Sequence, residues 1–257
     1  MKTILSILLV AMGACAPTPS RTAVPAPTTA TTTPTQTEPP SAANAATRHR
    51  EVHGVRTAAE YRALTVQVYR AAGDAVREAA RDREAGSWAV ILDADETVLD
   101  NSEFERRIAE SGVAFEEPMW SDWVREEAAE LVPGAAAFIE LVQGLGGHVA
   151  IVTNRDEALC PATRRNLEAL GIRPAALLCE TDTGEKEPRF QQVREGTAAD
   201  GLPPLEVVAW VGDNIGDFPE ATQAWRDAAD PSFDLFGRRY FVLPNPMYGS
   251  WMGNDWK

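Results

Sequence analysis

The chain has 257 residues, 44% of them hydrophobic, which is enough for one substantial α/β domain with insertions and too little for two. Its 38 acidic residues outnumber 24 basic ones, and the net charge of -14 repels the phosphate backbone of a polymeric nucleic acid. A small phosphorylated substrate is not excluded, because a metal ion and a few placed cations reverse the field locally.

At the N-terminus, Lys2, the apolar stretch 4–12 and the small residues Gly13 and Ala14 read as a secretory signal over 1–14. It is too short to remain as a spanning helix. Cys15, directly after Gly-Ala, resembles the position that bacterial lipoproteins acylate after cleavage; the alternative is an ordinary cleaved signal with a stray cysteine. Residues 15–48 are rich in Pro, Thr, Ala and Ser and cannot bury enough apolar surface to offset their ordering entropy, so a disordered tether is expected there. The folded part, 49–257, is then expected outside the cytoplasm, anchored to a bacterial membrane through lipid. Two cysteines remain in it, Cys160 and Cys179. In an oxidising compartment they form a candidate disulfide, with two separately buried thiols as the alternative.

Between about 58 and 83, Tyr61, Leu64, Val66, Val68, Tyr69, Ala72, Val76 and Ala79 recur near helical spacing, which predicts a helix with one buried face. The continuous apolar run 88–92 follows Gly86 and predicts a central parallel strand covered on both faces. Similar runs occupy 148–152, 175–178 and 207–211, with helical patterns over 134–145, 161–170 and 186–195. This alternation predicts a Rossmann-like, doubly wound parallel sheet with helices on both faces. An insertion of about 101–133 separates the first strand from the next helix and is expected to form a small cap.

In such a sheet the ligand lies beyond the carboxyl ends of the strands. The residues that follow the four runs are Asp93-Ala94-Asp95, Thr153-Asn154-Arg155, the stretch from Cys179 to Lys186, and Gly212-Asp213 through Asp217. Asp93 and Asp95, two apart in extended backbone, share a face and can reach one small site. One carboxylate can attack phosphorus and the other can protonate the leaving alkoxide and later deprotonate water. Asp213 and Asp217 add hard oxygen ligands that suit Mg²⁺ together with Asp93. Thr153 offers a hydroxyl and an N–H, and Lys186 a point charge, to the phosphate oxygens, while Asn154 is a substrate-binding candidate beside them. Asp-rich strand ends are also found as helix caps or solvated turns, and Asp100, Asn101 and Arg155 admit such structural roles.

The stretch 93–102 (DADETVLDNS) resembles the first motif of haloacid-dehalogenase-like phosphatases. More narrowly, it resembles the class of secreted acid phosphatases that includes the bacterial outer-membrane lipoprotein e. The resemblance continues through Val152-Thr153-Asn154-Arg155, Gly184-Glu185-Lys186, 212–218 and 243–249, in the family's order. It implies a phosphomonoesterase with Asp93 as nucleophile and Asp95 as acid/base. It further implies Mg²⁺ held by Asp93, the carbonyl of Asp95 and Asp213, with Asp217 in a ligating or supporting role, and phosphate gripped by Thr153 and Lys186. Relatives of this class take nucleoside monophosphates between two aromatic rings and often pair into homodimers, so a nucleotide substrate is expected. Trp120 and Tyr248 are the candidates for the stacking pair, against the alternative that they pack the insertion and tail onto the domain. The rival functions are a phosphotransferase on the same site, a binding lipoprotein on a decayed phosphatase fold, and a surface adhesin.

Overall fold

The computed structural model describes residues 50–227 and 233–256. The expected signal over 1–14, the acylated Cys15 and the tether over 15–48 lie outside the described residues.

Two helices open the domain, α1 (Arg50–Thr57) and α2 (Ala59–Ala80), followed by strand β1 (Trp88–Leu92). The insertion then holds β2 (Leu99–Asp100), α3 (Ser102–Ser111), α4 (Glu117–Glu126) and β3 (Glu130–Leu131). Next come α5 (Ala135–Gly144), β4 (His148–Asp156), α6 (Cys160–Ala169), β5 (Ala176–Glu180), α7 (Glu187–Glu195), β6 (Glu206–Gly212) and β7 (Tyr240–Val242). Five strands form one parallel sheet in the order β5-β4-β1-β6-β7, and β2 pairs with β3 as a separate antiparallel ribbon.

All five β1 side chains are buried, as the continuous apolar run requires of a central strand. Trp88, Val90 and Leu92 pack on the face that carries Tyr69, Val76, Phe138 and Ile139, while Ala89 and Ile91 pack on the other with Phe190, Val193 and Phe218. Each large aliphatic residue so enclosed contributes roughly 1.5–3 kcal/mol. The buried face of α2 consists of Tyr61, Thr65, Tyr69, Ala72, Gly73 and Val76. Leu64, expected on that face, is 48% exposed, because the stripe runs through Thr65 instead. Gly134, at φ 101°, starts α5 against Tyr69, and a Cβ there would stand 2.9 Å from the tyrosine ring. That close approach sets α2 and α5 against each other.

The parallel register fixes the site. Leu92 pairs with Ile151 of β4 and with Val211 of β6, so the residues just after these positions emerge side by side. Asp93 extends this pairing, its N–H donating to the Val211 carbonyl at 3.0 Å. Strand β4 runs on through Thr153-Asn154-Arg155 to Asp156 with a break in register, so this motif lies within the strand's end, not after it. Cys179 likewise sits inside β5 and is bonded to Cys160 at the start of α6, with Cα atoms 6.0 Å apart.

Candidate active site

An open cavity of about 480 Å³ lies over the carboxyl ends of β1 and β6. Asp93, Asp95, Asn154, Lys186, Asp213 and Asp217 all line it, so four separate stretches of sequence converge there. Oxygens of Asp93, Asp213 and Asp217 lie within 4.8 Å of one another, which is a donor set a hard divalent cation fits.

Lys186, buried at the start of α7, donates from Nζ to Asp93 Oδ1 and, at 2.6 Å, to Asp217 Oδ1. Its pKa is raised, because Asp217 and Asp93 together outweigh the burial that would lower it. Burial pushes Asp93 up to about 7 against the pull of Lys186, with Asp217 and Asp95 adding to the rise. Asp213 is also well above the ordinary carboxylate range, through burial and then through Asp217 and Asp93. Ionised together, the three carboxyls would hold more negative charge than one lysine neutralises, which a proton or a further cation offsets.

Asp217 is positioned by a short turn, Ile215–Asp217, in which its Oδ2 accepts the Asn214 N–H at 2.8 Å and Asn214 Oδ1 accepts the Gly216 N–H at 3.1 Å. Gly212 makes room for it, since a Cβ at that residue would fall 2.3 Å from Asp217. Asp213 is held by Asn245, whose Nδ2 donates to Oδ2 at 2.8 Å.

This arrangement agrees with what the chain resembles as a whole. The model of the HAD superfamily, subfamily IIIB (acid phosphatase), matches residues 17–251. The chain belongs to this acid phosphatase family. Among solved structures, the class C acid phosphatase from Bacillus anthracis is 28% identical, with a TM-score of 0.73 and coverage of 81% of this chain and 88% of that one. The same bacillus enzyme with tungstate bound matches at 28% identity and a TM-score of 0.72, over 81% and 88% of the two chains. The protein is accordingly a phosphomonoesterase with an α/β, HAD-like fold.

Not every expected site residue of this acid phosphatase reaches the cavity. Thr153 is fully buried and does not line it; its hydroxyl accepts the Arg155 N–H at 3.1 Å and its carbonyl accepts from Arg189. Asn154 does line it, with Oδ1 held by Arg189 at 2.7 Å and Nδ2 donating to the Gly184 carbonyl at 2.9 Å. Tyr248 lines the cavity, and Trp120 is not among its lining residues. The Trp120 ring is engaged elsewhere, edge-on to Phe104 at 5.3 Å and under the Arg155 guanidinium at 5.3 Å. The Cys160–Cys179 bond ties α6 to β5 without lining the cavity.

One supporting residue carried no clear signal in the sequence. Glu96 is 1% exposed at φ 51°, and its carboxyl accepts the Asn101 N–H at 2.8 Å, closing the turn after Asp95. Burial, then Asp95 and Asp213, raise its pKa well above the usual value. Asp100, a capping candidate in the sequence, accepts the Ser102 N–H at 2.8 Å at the start of α3. A non-glycine residue in the left-handed region is strained and visible only in three dimensions.

Proposed function

We propose that this acid phosphatase is Mg²⁺-dependent, works through an aspartyl-phosphate on Asp93, and takes nucleoside 5′-monophosphates. The observation that carries the reading is the convergence of Asp93, Asp213 and Asp217 around Lys186, with Asp95 on the same cavity wall. The ion would be held by the Asp93, Asp213 and Asp217 oxygens and the Asp95 carbonyl, and when bound it supplies positive charge that lets a carboxylate approach a phosphate. Asp93 attacks phosphorus in line with the leaving oxygen, and Asp95 gives that oxygen its proton. Asp95 then removes a proton from the water that cleaves the acyl phosphate, returning both residues to their first state. Lys186 has three N–H donors on one nitrogen. Two serve Asp93 and Asp217, which leaves the third for a phosphate oxygen.

The tungstate complex of the bacillus relative supports an oxyanion-binding site in this fold. Beyond the phosphate subsite, the cavity wall offers the neutral hydrogen-bonding side chains Asn214, Thr222, Gln223 and Ser250 and the ring of Tyr248. That lining suits a sugar and a planar base, and stacking on one ring is worth about 1–3 kcal/mol. Met1 to Cys15 supports export and acylation, and the Cys160–Cys179 bond fits an oxidising compartment.

Rapid acid quenching followed by peptide mass spectrometry tests the chemistry. Phosphate on the Asp93 peptide with Mg²⁺, and none with chelator or in Asp93→Asn, is the expected result. Full turnover in Asp93→Asn would overturn it. Labelled fatty acid on wild type but not on Cys15→Ser would establish the anchor.

A further inference from the structure

We infer that Arg155 and Asn101 clamp one oxygen of Asp95, leave the other free to carry the proton, and are themselves braced by Trp120 and Trp123 of the insertion. This inference rests on the acid/base role of Asp95 proposed above.

Asp95 Oδ1 accepts three hydrogen bonds, from Arg155 Nη2 at 2.6 Å, Arg155 Nε at 3.0 Å and Asn101 Nδ2 at 2.8 Å. Oδ2 has a single longer contact, 3.2 Å from Arg155 Nε. The carboxyl lines the cavity, whereas the Arg155 side chain is 1% exposed. A proton cannot sit on an oxygen already surrounded by three N–H donors without facing one of them, so it belongs on Oδ2. The clamp thus selects the oxygen that transfers the proton and fixes its direction. In the first step the Asp93–phosphorus bond forms, the bond from phosphorus to the leaving oxygen breaks, and the Oδ2 proton moves to that oxygen, leaving Asp95 as a carboxylate. In the second step the attacking water returns a proton to Oδ2 as the Asp93–phosphorus bond breaks.

The clamp is held from three sides. Arg155 Nη1 donates to Thr163 Oγ1 at 3.1 Å, and Nη2 also reaches Asn101 Oδ1 at 3.2 Å. Trp123 Nε1 donates to that same Asn101 oxygen at 2.9 Å, which fixes which way the amide faces. The Trp120 ring lies under the guanidinium, where cation–π attraction favours this placement. The insertion therefore acts on chemistry through a positioning arginine 60 residues from Asp95 in sequence, and Trp120 works behind the site instead of inside it.

The test is the dependence of kcat/KM on leaving-group basicity, measured over a series of aryl and alkyl phosphates with Mg²⁺. A proton donor matters most for basic leaving groups and little for acidic ones. Arg155→Lys is expected to lose about 10- to 100-fold on alkyl phosphates, a part of the whole value of a general acid, and less than about threefold on dinitrophenyl phosphate. Trp120→Leu, which leaves the buried ion pair in place, should steepen the dependence in the same direction but by less. An equal loss on every substrate in both variants would overturn the inference. So would a Trp120→Leu effect confined to KM for base-bearing substrates, which would make that ring a ligand platform. Asp95→Asn separates the two layers of argument. If it fails to steepen the dependence, the acid/base reading falls; if it steepens while Arg155→Lys and Trp120→Leu do not, only the clamp falls.

Discussion

Replacing Lys186 by methionine removes a cation that touches both Asp93 and Asp217 while keeping an unbranched chain in the same buried space. Asp93 and Asp213 have folded pKa values above the ordinary 3.8 of an aspartate. The folded state therefore holds more protons than the unfolded chain as pH rises from 3.8, and stability falls with rising pH until the folded value, about 7 for Asp93, is passed. The ammonium stays charged throughout this window, since its pKa is raised from 10.5. Without it, the cluster can recover one positive charge by binding one more proton. At 1.36 kcal/mol per pH unit above 3.8, that proton costs about 5 kcal/mol near pH 7.5 and about 1.6 kcal/mol near pH 5. The upper figure lies at the top of the roughly 3–5 kcal/mol lost when one partner of a buried ion pair is removed. Urea denaturation of wild type and Lys186→Met in chelator, at both pH values, measures this. The expected loss is about 3–5 kcal/mol at the higher pH and less than about 2 kcal/mol at the lower one. An equal loss at both would refute the argument, because it would mean that lost packing, not uncompensated charge, governs the variant.

Three further outcomes follow from the same geometry. Mg²⁺ should raise the melting temperature more near pH 7.5 than near pH 5, because at lower pH protons compete for the Asp93 and Asp213 oxygens; differential scanning calorimetry reads this directly. Gly212→Ala should cut kcat/KM by about 100-fold or more, since its Cβ would strike Asp217 at 2.3 Å and about 1 Å of misplacement costs that much. Circular dichroism should show the fold retained. Reduction of Cys160–Cys179, which closes a loop of sequence separation 19, should lower unfolding free energy by about 3 kcal/mol, checked by denaturation with and without a thiol reductant.

The central strands were legible because a strand covered on both faces must be apolar at every position, and 88–92 and 207–211 show that pattern without interruption. Once those strands are parallel, their carboxyl ends share a rim, so the aspartates that follow them were legible as one site. Helix α1 was not, because it is short and shows only Val52 and Val55 as its buried contacts. Strand β7 has only three residues. What composition and spacing could not convey is how the cations on the rim are distributed. Lys186 and Arg155 both neutralise aspartates of one motif, yet the compact ammonium sits between Asp93 and Asp217 while the planar guanidinium grips Asp95, chiefly at Oδ1. That division follows from side-chain shape: a point charge can be shared between oxygens of two carboxylates, whereas a fork fixes the carboxyl it meets. The partner of each cation depends on which element buries it, α7 for the lysine and the β4–α6 junction for the arginine. The two carboxyls lie only two residues apart in sequence, yet the fold gives each a different counter-ion.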